Sequence, residues 1–112
     1  MAQSFLAIIA VAILIAMSIR ANSHFSDQAR LPMQWGIDGS VNWTAPRRVV
    51  LSFTPALAAI VLATTTIATL LLAPRPGQEG MEIPVVIILG LGFIAAHAFH
   101  LWLIGKTTNR RG

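Results

Sequence analysis

The chain has 112 residues, of which 55% are hydrophobic and 11% charged, with a formal net charge of +4 and no cysteine. A soluble domain carries about 25% charged residues to keep its surface wet, so an ordinary soluble fold is excluded. The absence of cysteine also excludes disulfides, thiolate metal sites and cysteine nucleophiles.

The first predicted element is a helix over about 4–20. Residues 5–19 are apolar apart from Ser18. Crossing the hydrocarbon core takes roughly 20 apolar residues at about 1.5 Å rise each, which puts this segment at the lower edge. A signal peptide is the competing reading. It is disfavoured because residues 1–4 carry no basic side chain and Ser18-Ile19-Arg20 offers no small-residue cleavage site. Ala7, Ala10, Ala12 and Ala16 recur along the helix. Small residues let helices approach closely in lipid, although a plain lipid-soluble helix reads the same way.

Residues 21–48 follow as a polar, aromatic, turn-rich loop. Asp38-Gly39 is a tight-turn dipeptide, with glycine free to take positive φ. Trp35 and Trp43 bracket that turn, where the headgroup layer suits them, and Pro32 and Pro46 stiffen the ends. The reading is a compact, hairpin-like flap resting on the membrane surface.

A second span is predicted over 49–73, after Pro46 and the Arg47-Arg48 pair. Pro55 lies one to two turns inside, removes a helical hydrogen bond and should bend the helix. Thr64, Thr65, Thr66 and Thr69 can bond back to helix carbonyls, so they require no polar pathway. Residues 74–82 form a short turn dense in proline and glycine. It places the second and third helices as antiparallel neighbours, with Glu79 and Glu82 favouring a helix N-terminus.

The third span is predicted over 83–105, with a basic tail at 106–112. Gly90 and Gly92 thin its first half, and Gly92 with Ala96 makes a small-xxx-small pair for helix packing. His97 and His100 project from one side of the helix. Ionisable residues in a span usually face protein or a cavity. One reading is imidazole ligation of haem iron or of a (bacterio)chlorophyll magnesium. Over a few residues, Ala96 to His100 with Trp102 following resembles the pigment-binding helices of bacterial light-harvesting polypeptides. The competing reading gives each histidine a carbonyl, hydroxyl or headgroup partner near the helix end. No cofactor is required by the sequence.

Seven of the eight basic residues, Arg20, Arg30, Arg47, Arg48, Lys106, Arg110 and Arg111, fall in the first loop and the tail. Arg75, with Glu79 and Glu82, falls in the second loop. Cytoplasmic loops retain lysine and arginine. The expectation is a multi-pass protein of a bacterial inner membrane, N-terminus outside, with the large loop and tail cytoplasmic. The basic residues are read as topology signals, and nucleic acid is not an expected partner.

Pro32, Gln34, Trp35, Gly36, Gly39, Asn42, Trp43 and Arg47, followed by Pro55, resemble the loop signature of the SdpI-like family of small bacterial membrane proteins. That signature runs approximately Pro-x-His-aromatic-Asn/Gly-x-x-Gly-x-x-Asp, then a Trp/Gly cluster and a lysine. The resemblance covers residues 5–73. Gln34 stands in place of the usual histidine, Asn42 of the aspartate and Arg47 of the lysine, and Trp43 falls one residue early. The resemblance implies a membrane scaffold of sensor or immunity type that binds a protein or peptide partner.

The expected fold is an all-α membrane protein: three transmembrane helices in one domain, with an ordered loop between helices one and two. No metal-ligand cluster, nucleophile–base pair or phosphate loop is visible, so a non-enzymatic role is expected. Partner-binding or loop-structuring residues are Pro32, Gln34, Trp35, Gly36, Asp38, Gly39, Asn42, Trp43 and Arg47. The alternative is an accessory subunit of a larger respiratory or photosynthetic membrane complex, packing against other membrane subunits.

Overall fold

The computed structural model describes residues 2–72, 76–77 and 79–111, without the side chains of 109–111. The predicted end of the second span at Ala73, the cation Arg75 and the side chains of Arg110 and Arg111 lie outside the described residues.

Three helices, α1 (Ala2–His24), α2 (Arg47–Leu71) and α3 (Glu82–Arg111), enclose two strands between the first pair, β1 (Arg30–Trp35) and β2 (Val41–Pro46). Each helix is long and apolar enough to cross a membrane. The all-α expectation is corrected, because the ordered loop is a two-stranded antiparallel sheet. The physical reason is local. A glycine turn reverses the chain, and the backbone groups on either side of it then pair with each other.

α1 and α3 also run past their predicted ends, to His24 in place of 20 and to Arg111 in place of 105. No proline interrupts either extension. The extra turns of α3 give the hairpin something to dock on, so the predicted tail is helical.

The buried positions of α1 are Gln3, Ala7, Ala10, Leu14 and Ala21. Those of α2 include Leu51, Pro55, Ala58, Leu62 and Thr66. On α3, Val86, Gly90, His97 and Ile104 are buried. Steps of three and four keep these residues on one stripe per helix. Large apolar side chains such as Phe5, Ile8, Ile60, Leu91 and Phe99 point outward. Ala7, Ala10, Ala21, Ala58 and Gly90 among the buried positions allow the close backbone approach that drives helix association in lipid.

α1 packs on both other helices more extensively than they pack on each other. Gln3 Nε2 donates to Thr69 Oγ1 at 3.3 Å at one end of the bundle, and Ser18 meets Leu51 towards the other, so α1 and α2 are antiparallel. One apolar cluster (Ala7, Ala10, Leu14, Ala58, Leu62, Val86) fills the first end. A second (Ala21, Phe25, Leu31, Ala45, Val50, Leu51, Ile104) joins the helices to the hairpin.

The close approach of α1 and α3 is made by Gly90, not by the predicted Gly92/Ala96 pair. A Cβ at Gly90 would lie 3.1 Å from the Ala10 Cβ, whereas one at Gly92 would meet nothing within 4 Å. Gly92 and Ala96 are exposed. Gly90→Leu is therefore expected to wedge α1 from α3 and destabilise the bundle by about 1–3 kcal/mol. Gly92→Leu should stay within about 0.5 kcal/mol of the parent. Unfolding equilibria of both variants in mixed micelles check this, and equal effects would refute the assignment.

Candidate functional site

The hairpin is built from its turn outward. Gly39 N–H donates to the Gly36 carbonyl at 3.1 Å, and Gly36 N–H to the Ser40 carbonyl at 2.8 Å. Gly39 takes φ 85°, a conformation that penalises a Cβ. Asp38 Oδ1 accepts from Ser40 N–H (3.1 Å) and from Ser40 Oγ (2.7 Å). These two bonds hold the Asp38 carboxyl below its ordinary pKa, so it stays ionised at neutral pH and keeps the turn closed. Gly36 sits under the Asp38 and Asn42 side-chain oxygens, which a Cβ there would approach to 3.0 Å and 3.2 Å.

The strand register is irregular on both sides of the Gln34–Trp43 pair. Bulges re-aim side chains, and here they turn Gln34 and Trp43 to the outer face. Trp43 Nε1 donates to Gln34 Oε1 at 2.8 Å, and its ring is 50% exposed. Leu31, Pro32 and Ala45 are buried, and Met33 and Trp35 pack against the same cluster. Trp35 Nε1 donates to Thr107 Oγ1 at 3.1 Å, and the Trp35 ring meets His100 edge-on, with centroids 5.5 Å apart. The two tryptophans thus do different work. Trp35 anchors the hairpin to α3, and Trp43 belongs to the face turned away from the bundle.

Arg47, the first residue of α2, ties the hairpin to the end of α1. Its Nε donates to Asn22 Oδ1 at 2.8 Å. Its Nη1 lies 2.6 Å from the Gln28 carbonyl, 3.0 Å from that of Ser26 and 3.3 Å from that of Phe25. These carbonyls follow the C-terminus of α1, where a cation is also favoured by the helix dipole. The planar guanidinium fork suits several acceptors in one plane.

A polar node joins the three helices beneath the hairpin. Pro55 has no N–H, so the carbonyl of Leu51 four residues earlier loses its helical partner. Ser18 Oγ donates to that carbonyl at 2.6 Å. Its single proton is thereby committed, so the 2.8 Å contact between Ser18 Oγ and His97 Nε2 assigns the donor to the ring. His97 is fully buried, and its Nδ1 is enclosed with no partner among the described residues. His100 lies against the Pro32 carbonyl, with its Nε2 enclosed.

Ligation of a haem or chlorophyll metal needs an unprotonated ring nitrogen with open space in front of it. His97 spends Nε2 on Ser18 and has no exposed surface, and the Nε2 of the half-buried His100 is enclosed. The two residues do not fit a macrocycle in this arrangement. His97 instead shares a hydrogen bond with the Ser18 hydroxyl, and His100 packs edge-on against the Trp35 ring. The described residues also contain no group of three metal-ligating side chains.

The sequence singled out Pro32, Gln34, Trp35, Gly36, Asp38, Gly39, Asn42, Trp43 and Arg47, and all of them fall on the hairpin or its root. It missed Ser18, Asn22 and Thr107. The signal for Ser18 was available, since Pro55 frees a buried carbonyl that needs a donor, and Ser18 is the lone polar residue within 5–19.

These features define a class: three membrane-length helices packed around a polar node and closed at one end by a docked β-hairpin. No family model, no curated protein and no solved structure matches this chain.

Proposed function

We propose that this chain is a non-enzymatic integral membrane protein whose hairpin presents a docking face to a protein or peptide partner. The observation that carries the reading is the division of labour within the hairpin. Its inner side chains are spent on the bundle, while Ile37 at the turn stands fully exposed beside the half-exposed Trp43. Exposed aromatic and aliphatic side chains on a rigid support are typical anchors for a partner. The SdpI-like resemblance of the loop supports the same reading, as a scaffold of sensor or immunity type. The membrane is a bacterial inner membrane, with the hairpin and tail cytoplasmic and the N-terminus outside. The charge distribution supports that orientation, because Arg20, Arg30, Arg47, Arg48 and Lys106 all lie at the hairpin end.

A photo-reactive amino acid at Ile37 or Trp43, introduced in the native host, tests the docking face. The expected result is one discrete crosslinked species, lost when Ile37→Asp or Trp43→Ala is introduced at the companion position. Crosslinks spread evenly over all positions would sink the proposal. Reporter fusions at the tail test the orientation, and a tail outside the cytoplasm would overturn it.

One observation favours a second reading, an accessory subunit of a larger membrane assembly. Gly92 and Ala96 form an exposed small-residue patch with open space above Gly92, which another helix could occupy. Crosslinking from Ala96 to a second membrane protein, with a large native mass, supports that reading over the first.

A further inference from the structure

We infer that the groove between α1 and α3 at the hairpin end is a binding site for one anionic phospholipid, its phosphate held by Arg20 and Lys106. The groove is a cleft of about 760 Å³, within the range of about 300–1,000 Å³ found for small-molecule sites. Its rim carries Arg20, His24 and Lys106, and its wall includes Met17, Ala98 and Leu101. Cationic rim and apolar wall reproduce the order of a phospholipid, headgroup above and acyl chain below. Basic pockets between membrane helices are favourable sites for anionic headgroups.

Charge complementarity selects an anionic lipid over a zwitterionic one. No acidic side chain lines the groove. Neither Arg20 nor Lys106 is paired with a carboxylate among the described residues. Lys106 Nζ instead sits 5.0 Å from the centre of the Trp102 ring, which holds the ammonium at the groove rim. Trp102 stacks in turn on Phe99, with ring centroids 5.9 Å apart. An aromatic pair of this kind suits the boundary between headgroup and acyl chain. Gly105 and Ala21 also line the cleft and add little bulk to it.

This inference rests on the membrane reading above, and the test separates the two. The purified protein is reconstituted in nanodiscs of phosphatidylcholine containing phosphatidylglycerol, released into detergent and weighed by native mass spectrometry. One retained phosphatidylglycerol per chain is expected, enriched at least tenfold over its share of the bilayer. Arg20→Gln with Lys106→Gln should abolish the enrichment. Arg30→Gln with Arg48→Gln, which removes the same charge elsewhere at this end, should leave it intact. Ala98→Trp, which fills the apolar wall and keeps every cation, should also abolish it.

Equal enrichment in all variants, or equal loss in both charge pairs, would overturn the site. Displacement of the lipid by millimolar inorganic phosphate alone would reduce it to a phosphate site and overturn the lipid assignment. Failure of the parent protein to insert into nanodiscs would instead count against the membrane reading.

Discussion

Ser18→Ala is expected to destabilise the bundle by about 2 kcal/mol, more than its loss of one oxygen suggests. The substitution strands two groups at once, the Leu51 carbonyl and the His97 Nε2–H. A buried donor or acceptor left unpaired costs about 1–3 kcal/mol, while interhelical hydrogen bonds in membrane proteins average only about 0.6 kcal/mol. The stranded groups, not the bonds themselves, therefore set the size of the effect.

The same logic predicts a rescue. Pro55→Ala restores an N–H that can reach the Leu51 carbonyl within the helix, so Ser18→Ala in that background should cost about 1 kcal/mol less. A double-mutant cycle measured by unfolding in mixed micelles reads this coupling directly. Equal costs in both backgrounds would show that Pro55 and Ser18 are unrelated. His97→Leu should be milder than Ser18→Ala, since Ser18 keeps its bond to Leu51 and only its acceptor role lapses. A cofactor-ligand role for His97 predicts the reverse order, together with a change in visible absorption.

Arg47→Gln is expected to loosen the hairpin and cost about 2–3 kcal/mol, because it removes the donors serving Asn22 and the carbonyls of Phe25, Ser26 and Gln28. Hydrogen bonds to a charged group contribute about 1.5–3 kcal/mol each when shielded. The half-buried setting of Arg47 keeps the total near the value for one such bond. Arg47→Lys should recover less than half, since an ammonium cannot span the acceptors that the planar fork reaches. Amide hydrogen exchange over residues 29–46 should rise well before exchange in the helix centres, as local opening precedes global unfolding. Uniform exchange changes along the whole chain would refute the local role. The comparison bears on function, because a loosened hairpin no longer holds Ile37 and Trp43 in one arrangement.

Individual residues show how much of this was legible. The three spans were readable because membrane-length apolar runs leave few alternatives. The turn at Asp38-Gly39 was readable because its geometry is local. Trp43 was not. Counting alternate positions from Val41 and Ala45 puts it on their face, yet the irregular register places it opposite Gln34 on the outside. Which glycine meets α1 was not readable either, for a related reason. Gly90 and Gly92 are equally small, and only the rotation of α3 against α1 selects Gly90 to meet Ala10. His97 and His100 were visible as unusual residues in a span, but their spacing alone did not distinguish an internal hydrogen bond from an open ligand position.

By itself, the sequence determined that this protein has three helices of membrane length, a turn-rich segment between the first two and a strong bias of positive charge to one end. Those properties follow from run length, composition and local backbone preference, which need no partner element. The tertiary structure decided what each polar residue is for. Ser18 takes its meaning from a carbonyl freed by Pro55 on another helix, Arg47 from carbonyls about twenty residues upstream, and His97 from a hydroxyl on α1. In each case the bond satisfies a group that its own helix or turn leaves unpaired, and the partner is found only when the elements pack.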